Sequence, residues 1–569
     1  MVVCSRPMSR DPGDAGLLGP EEPNHVSGAP RNRGHQLPGN PAPEAPTIQI
    51  ALLLGLVVLA TLISPFRREL LVGDETKYSR VVQQMIENDS YIVLTKDGEI
   101  YGHKPPLHFW AIAFLSRAFG LESIWPFVLP SLIAFGLTLI VVARWQSQLF
   151  GREGPVAAFV FATFWLAWGT AQSARMDMTF ALLISVAATQ YWRHRETQGW
   201  GPAIKGGLAC GVAVLVKGPM AIVILGSLIL IESIRTRCMP SRAVVAGGVI
   251  AAVIPVVWLV AAVRYGGAEY GRELVFRQTI GRAFGSWVHG EPVWFFFGRF
   301  PLTFFPWFLV LLIALFVVFR GEREGPEGET ARFISSWFVA AFLPFSFVSS
   351  KLDVYMLPAM VPGSILVAWI LLRQDFGARF SGWIRKGFRA LTVLLALVAC
   401  LVTVGLIVTR HDANPDLEIA RDSRVVVVLV LSAVLSLAGY WMIRKRESFR
   451  ESGLVFGIVA LVPVMGLVGL ATPVINQAAS TSPLVDALVR SEVPGEEITL
   501  YWTPHLWVRG MPADLHRVSY LESPVIGSPT TLIVVRRDKA VDLGDVLLDY
   551  RVADSVRMIG KEFDVYQRK

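Results

Sequence analysis

Two adjacent carboxylates, Asp74 and Glu75, sit in a short Gly-Asp-Glu-Thr stretch directly after an apolar run. A third, Asp177, follows Arg175 by two positions, again at the start of an apolar run. Cations and hydroxyls recur at similar boundaries: Lys104 after His103, then Lys217, Arg264, Arg282, His289, Lys351 and, past Asp353, Tyr355. Placed together, these residue types could do one kind of work. A carboxylate can take a proton from an attacking hydroxyl. Fixed cations in a dry site stabilise negative charge as it develops on an oxygen. Each residue also has a plainer reading. Asp74 could cap a helix, and Lys104 and Lys351 could snorkel to a membrane interface. Asp177 could pair with Arg175 or Lys217 for packing alone. Charges at a membrane boundary are costly and tend to be retained for a use. Their collection on one face therefore argues for the group.

That face is set by the elements around it. The chain has 569 residues, 53% hydrophobic and only 17% charged, where a soluble chain would carry about a quarter charged. Apolar spans fall near 49–65, 124–143, 154–171, 178–192, 203–216, 219–233, 243–263, 294–319, 333–348, 355–372, 388–409, 424–443 and 453–471. Crossing the hydrocarbon core takes roughly 20 mostly apolar residues, so the chain is an integral membrane protein. The net charge of +8 does not imply nucleic-acid binding, because the basic residues lie mainly in short loops, where orientation signals belong. Cys4, Cys210, Cys238 and Cys400 show no CxxC or metal-ligand spacing.

One further apolar stretch, 105–119, carries His108 and Arg117. Laid flat as an interfacial helix, it lets the basic loops around Arg144, Arg193, Arg235, Arg320, Arg385 and Arg444 share one side. That side is cytoplasmic by the positive-inside rule. This reading predicts thirteen spans, a cytoplasmic N-terminus and a periplasmic C-terminus. The loop 66–104, the 172–177 turn, Lys217, the 264–293 loop and Lys351 then all face outward. Residues 1–48, rich in Pro, Gly and Asn without periodicity, read as a disordered tail. Residues 49–472 form the transmembrane unit. Residues 473–569 have a soluble composition and read as a small periplasmic α/β domain, with strands near 498–502, 531–535 and 563–566 and helices at 482–491 and 541–549.

Five motifs resemble the ArnT-like glycosyltransferases, the aminoarabinose transferases and their protein O-mannosyltransferase relatives. They are Gly-Asp-Glu-Thr-Lys-Tyr (73–78), Tyr-Gly-His-Lys-Pro-Pro-Leu-His-Phe-Trp (101–110), Ala-Arg-Met-Asp-Met (174–178), Val-Lys-Gly-Pro (216–219) and Ser-Ser-Lys-Leu-Asp-Val-Tyr-Met-Leu-Pro (349–358). They occur in family order between about 50 and 470. The resemblance implies an all-α polytopic GT-C-like fold with a cavity at the outer leaflet and a polyprenyl-phosphate sugar as donor. It also implies a lipid, polysaccharide or protein acceptor. Asp74 then resembles the catalytic carboxylate, with Glu75 beside it, and Asp177 the second functional aspartate. Lys104, Arg282 and Tyr355, with Lys351, resemble the groups that hold the donor phosphate.

The chain departs from the family pattern in three places. His103 stands where aminoarabinose transferases carry Glu, residues 277–281 before Arg282 lack the expected His or Glu, and Asp353 stands where Pro is usual. No cofactor is fixed by these residues. His103 and His289 are the imidazoles that could serve a divalent metal, without a ligand spacing to support them. A transporter or flippase of lipid-linked sugars is the competing class. Against it, the charges lie at span ends rather than at mid-membrane, and no broken-helix repeat is visible.

Overall fold

The computed structural model describes residues 45–150, 155–273, 291–320, 326–373, 378–409, 420–522 and 530–569. The tail expected over 1–48 lies outside them up to residue 44; helix α1 (Ala45–Ile63) begins four residues before the expected span. Among the described residues, eight helices are long and apolar enough to cross a membrane, which makes this a multi-pass membrane protein. The other five expected spans fall on shorter, interrupted or more polar helices. Residues 154–171 form α5 (Val156–Thr163) and α6 (Trp165–Ala171), separated by an extended Phe164. Segments 178–192, 203–216 and 219–233 are α7 (Asp177–Thr197), α8 (Trp200–Lys217) and α9 (Met220–Thr236). Residues 294–319 begin as two single helical turns before the helix Phe308–Phe319. Length and composition alone thus do not fix a count of thirteen. The stretch 105–119 is α3 (Leu107–Phe119), 13 residues long. At 1.5 Å per residue it rises roughly 20 Å, short of the roughly 30 Å hydrocarbon core.

Packing follows apolar coverage. Helix α5 and the helix Leu357–Leu372 are buried at every residue, as expected for helices apolar all round. Helix α8 packs against both α7 and α10 (Arg242–Arg272). It meets α10 with backbones in contact, since a Cβ on Gly207 would stand 2.1 Å from the Gly247 carbonyl oxygen. Small residues permit that approach where lipid offers no hydrophobic drive between helices.

The C-terminal region forms a mixed five-stranded sheet. Its strands are β3 (Ile498–Tyr501), β4 (Ser519–Leu521), β5 (Leu532–Arg536), β6 (Tyr550–Met558) and β7 (Lys561–Arg568), after the small hairpin β1 (Thr95–Lys96) and β2 (Glu99–Ile100). The order is β4-β3-β5-β7-β6, with β3 parallel to β4 and β5, and β7 antiparallel to β5 and β6. The three central strands coincide with the expected ones. The two edges, β4 and β6, were not expected, because an edge strand is short or largely exposed and shows little apolar alternation.

This domain sits on the membrane unit through named contacts. Trp507 Nε1 donates to the Leu121 carbonyl at 3.0 Å. His505 Nε2 lies 3.6 Å from Asp97 Oδ2, in a nest with Arg80, Lys96, Lys77 and Tyr520. Burial lowers the His505 imidazole from its ordinary 6.5 to about 4, with Asp97 opposing the shift and the cations reinforcing it. The unfolded chain therefore binds a proton near pH 6.5 that the folded one refuses until about 4. His505 contributes stability above pH 6.5 that is lost as pH falls toward 4. Thermal unfolding in detergent between pH 7.5 and 4.5 is expected to show a shallower decline for His505→Gln than for the parent. Parallel curves would remove His505 as the cause.

Candidate active site

Three helix ends meet at one place. Gly73, at φ 120, turns the chain so that Asp74 becomes the first residue of α2 (Asp74–Glu87). Asp177 is the first residue of α7, and Lys217 the last of α8, where Gly218 at φ 96 ends the helix. Helices α7 and α8 form an antiparallel hairpin through Gln198 and Gly199, so the start of one lies beside the end of the other. Carboxylates at helix N-termini and an ammonium at a helix C-terminus also match the helix dipoles.

Arg175 joins the two aspartates. Its Nη1 lies 2.8 Å from Asp74 Oδ2 and its Nε 3.1 Å from Asp177 Oδ2. Lys217 Nζ donates to Asp177 Oδ1 and sits 4.3 Å above the Tyr355 ring. Lys77 Nζ approaches Asp74 at 3.9 Å, and the charge of Lys104 reaches Asp177. Asp177 is 3% exposed and Lys217 8%, whereas Asp74 is 32% exposed. Four cations, Lys77, Lys104, Arg175 and Lys217, thus face two carboxylates. Among the described residues the cluster carries surplus positive charge, and Asp74 is its more accessible carboxylate. Beneath it, Tyr78 packs edge-on to His108, whose buried Nε2 has no hydrogen-bond partner among the described residues.

The structure brings Asp74, Asp177, Lys104 and Tyr355 together and places two other candidates among backbone and scaffold partners. Glu75 was expected to take part in chemistry. Instead its Oε2 accepts from Arg68 and from the Leu71 N–H at 2.8 Å, and its Oε1 accepts from the Ala174 N–H at 2.7 Å. Both oxygens hold scaffold partners. Lys351 was expected on the donor phosphate. It is buried, and its Nζ donates to the carbonyls of Glu291 at 2.7 Å and Val348 at 2.6 Å, which ties the chain before Tyr355. Asp353 is held by Arg299 through Nε at 2.8 Å and Nη2 at 2.7 Å. His103 is exposed and stacks on Tyr101 at 5.1 Å. Arg282 and His289 lie outside the described residues. Among the described residues, no group of three or more His, Cys, Asp or Glu side chains could hold a metal ion. Arg175 and Lys217 entered the sequence reading only as boundary polar groups and packing partners of Asp177, without a catalytic or phosphate-binding role. The signal was there in part: the α7–α8 hairpin places Lys217 opposite Asp177.

A family model described as dolichyl-phosphate-mannose-protein mannosyltransferase matches residues 103–260. An undecaprenyl phosphate-alpha-4-amino-4-deoxy-L-arabinose arabinosyl transferase of Pseudomonas fluorescens (strain Pf0-1) is 26% identical over 395 residues, 67% of this chain and 69% of that protein. The enzyme of the same description from Pseudomonas aeruginosa (strain LESB58) is 26% identical over 364 residues, 61% of this chain and 64%, under two thirds, of its own length. The crystal structure of ArnT from Cupriavidus metallidurans bound to undecaprenyl phosphate superposes with a TM-score of 0.70 at 19% identity, covering 92% of this chain and 98% of that one. The fold and these relatives define a membrane-embedded glycosyltransferase. Within that class, the chain is similar in sequence to the aminoarabinose transferases and shares the fold of ArnT.

Proposed function

We propose that this enzyme moves a sugar from a polyprenyl-phosphate donor to an envelope acceptor on the periplasmic face of the inner membrane. In this reading residues 473–569 are periplasmic and the N-terminus is cytoplasmic. The observation that carries it is the ion cluster at the meeting of three helix ends, Asp74–Arg175–Asp177–Lys217. Donor cleavage leaves negative charge growing on a phosphate oxygen. Lys104, with Arg282 and Tyr355, stabilises that charge as it develops, and the surplus of cations over carboxylates suits it. Asp74, the accessible carboxylate, takes the proton of an acceptor hydroxyl and faces the positive sugar centre. Asp177 holds Arg175 and Lys217 in place. An acceptor that is already an anion, such as a phosphate, needs no base, and Asp74 then positions the sugar. Lipid A, another envelope glycolipid or polysaccharide, and a protein hydroxyl are the acceptors this chemistry admits. The relatives' named donor carries undecaprenyl phosphate and an aminoarabinose unit, which makes that donor the first to try.

The test is transfer by purified protein from a radiolabelled polyprenyl-phosphate sugar, with mass spectrometry of lipid A, polysaccharide and exported proteins with and without the gene. Donor consumed without a glycosylated product in any fraction would overturn the reading. Lys104→Ala, Arg282→Ala and Tyr355→Phe are expected to weaken donor use by about 1.5–3 kcal/mol each, the scale of a hydrogen bond to a charged group. Initial rates against donor concentration measure this. Parent-like donor kinetics in all three variants would remove the phosphate-site assignment.

A further inference from the structure

The segment from Pro65 to Val72, immediately before Asp74, is held on both sides. On the outer side the C-terminal domain and the helix leading into it supply the partners. Arg509 donates to the carbonyls of Pro65 and Phe66, both at 2.7 Å. Asn476 accepts from the Glu69 N–H at 3.2 Å and donates to the Arg67 carbonyl at 3.0 Å. The Val72 N–H donates to the Ala479 carbonyl at 2.8 Å. The Glu69 carboxylate accepts from Ser480 Oγ at 2.6 Å and from Ser482 Oγ. On the inner side Arg68, buried, donates to Glu75 and to the Gln172 carbonyl. Glu75 in turn holds the Ala174 N–H, and the next residue is Arg175, the bridge between the two aspartates.

We propose that Glu69 is a positioning residue for sugar transfer. It fastens the 65–72 strap to the C-terminal domain, and the strap acts through Arg68 and Glu75 to fix the 172–175 turn and with it Arg175. The C-terminal domain is thereby part of the active-site architecture rather than an appendage. This rests on the reading of Asp74, Arg175 and Asp177 given above. The physical argument is one of direction. Arg68 has its backbone in the strap and its guanidinium on Glu75 and Gln172. A strap loosened outside therefore carries the Arg68 side chain away from both inner partners. A buried carboxylate left with fewer donors is costly, so Glu75 would shift with Arg68 and release the Ala174 amide.

The experiment compares the full-length parent with Glu69→Ala and the conservative Glu69→Gln. It uses two independent readouts: steady-state transfer with the radiolabelled donor, and amide hydrogen exchange over residues 172–176. The relay predicts kcat lower by up to ~10²-fold for Glu69→Ala, the scale of a small misplacement of reacting groups, with donor KM nearly unchanged. It also predicts exchange at 172–176 faster by roughly tenfold, as for a local opening, although Glu69 makes no hydrogen bond to that turn among those described. Glu69→Gln, which keeps an acceptor for the serines, should recover most of both. Should the alanine variant fail to fold, Ser480→Ala combined with Ser482→Ala removes the same two bonds from the domain side and carries the test, with the same losses expected and parent-like values overturning the proposal. Unchanged kcat, or unchanged exchange at 172–176, in a well-folded Glu69→Ala variant overturns the proposal. Faster exchange in Glu69→Ala beside a parent that shows no transfer would instead sink the proposed function and leave only the mechanical coupling of the strap to the 172–175 turn.

Discussion

Asp74→Asn is expected to reduce sugar transfer by roughly 10²–10⁴-fold, the range lost with general-base assistance, while the protein stays folded. The plainer roles for Asp74 are too small to account for such a loss. It does not cap its helix: Gly73 occupies the N-cap, and no side-chain capping bond forms there. Its charge at the helix start contributes about 0.3–1 kcal/mol, and a partly exposed ion pair such as that with Arg175 about as little. Arg175 also keeps Asp177 as a partner, so the substitution does not orphan a cation. The asparagine keeps the size and the polar contact and loses only the charge and basicity. In vitro transfer, with expression and monodispersity measured in parallel, decides the matter. A folded variant working at the parent rate makes Asp74 structural. With a neutral hydroxyl as acceptor, some other group would then have to take its proton.

Asp177→Asn is expected to act differently, through stability as well as rate. Asp177 is the buried anion between two cations. Removing its charge leaves the buried Lys217 and the partly buried Arg175 less compensated, and breaking a buried pair in this way costs about 3–5 kcal/mol. Melting temperature and detergent-resistant yield should fall, and activity with them. Asp177→Asn combined with Lys217→Met removes both the anion and its most buried cation. That pair should recover much of the lost stability, because apolar replacement of a buried ion pair is often neutral. It should not recover transfer, since Arg175 and the site's surplus charge remain disturbed. Thermal unfolding and transfer on the same preparations separate the two effects. A single variant as stable and as active as the parent would show that the cluster is not coupled as described. A double variant that regains activity would make Asp177 a packing residue only.

Part of this arrangement was written in local patterns. Apolar runs of span length marked a membrane protein, and basic loops marked one face. Apolar, β-branched segments marked β3 and β5 as strands, and the Phe-Asp-Val-Tyr stretch marked β7. The site was partly legible for the same reason: Asp177 opens a span and Lys217 closes the next, so a short turn between them must put the two side by side. Other decisions belong to the tertiary structure. Arg175 reaches Asp74 across a hundred residues of chain, and no helical or strand period reports such a contact. Glu75 differs from Asp74 by one position, which on a helix turns its side chain by about 100°. Only the presence of Arg68, Leu71 and Ala174 on that side makes it a scaffold group and leaves Asp74 the more accessible of the two. Lys351 was drawn inward by two carbonyls that the chain supplies from Val348 and from Glu291, sixty residues earlier. Residue type and spacing determine which groups can ionise and where they enter the membrane face. Which of them has spare hydrogen-bonding capacity for a substrate depends on neighbours distant in sequence, and only folding brings those into contact.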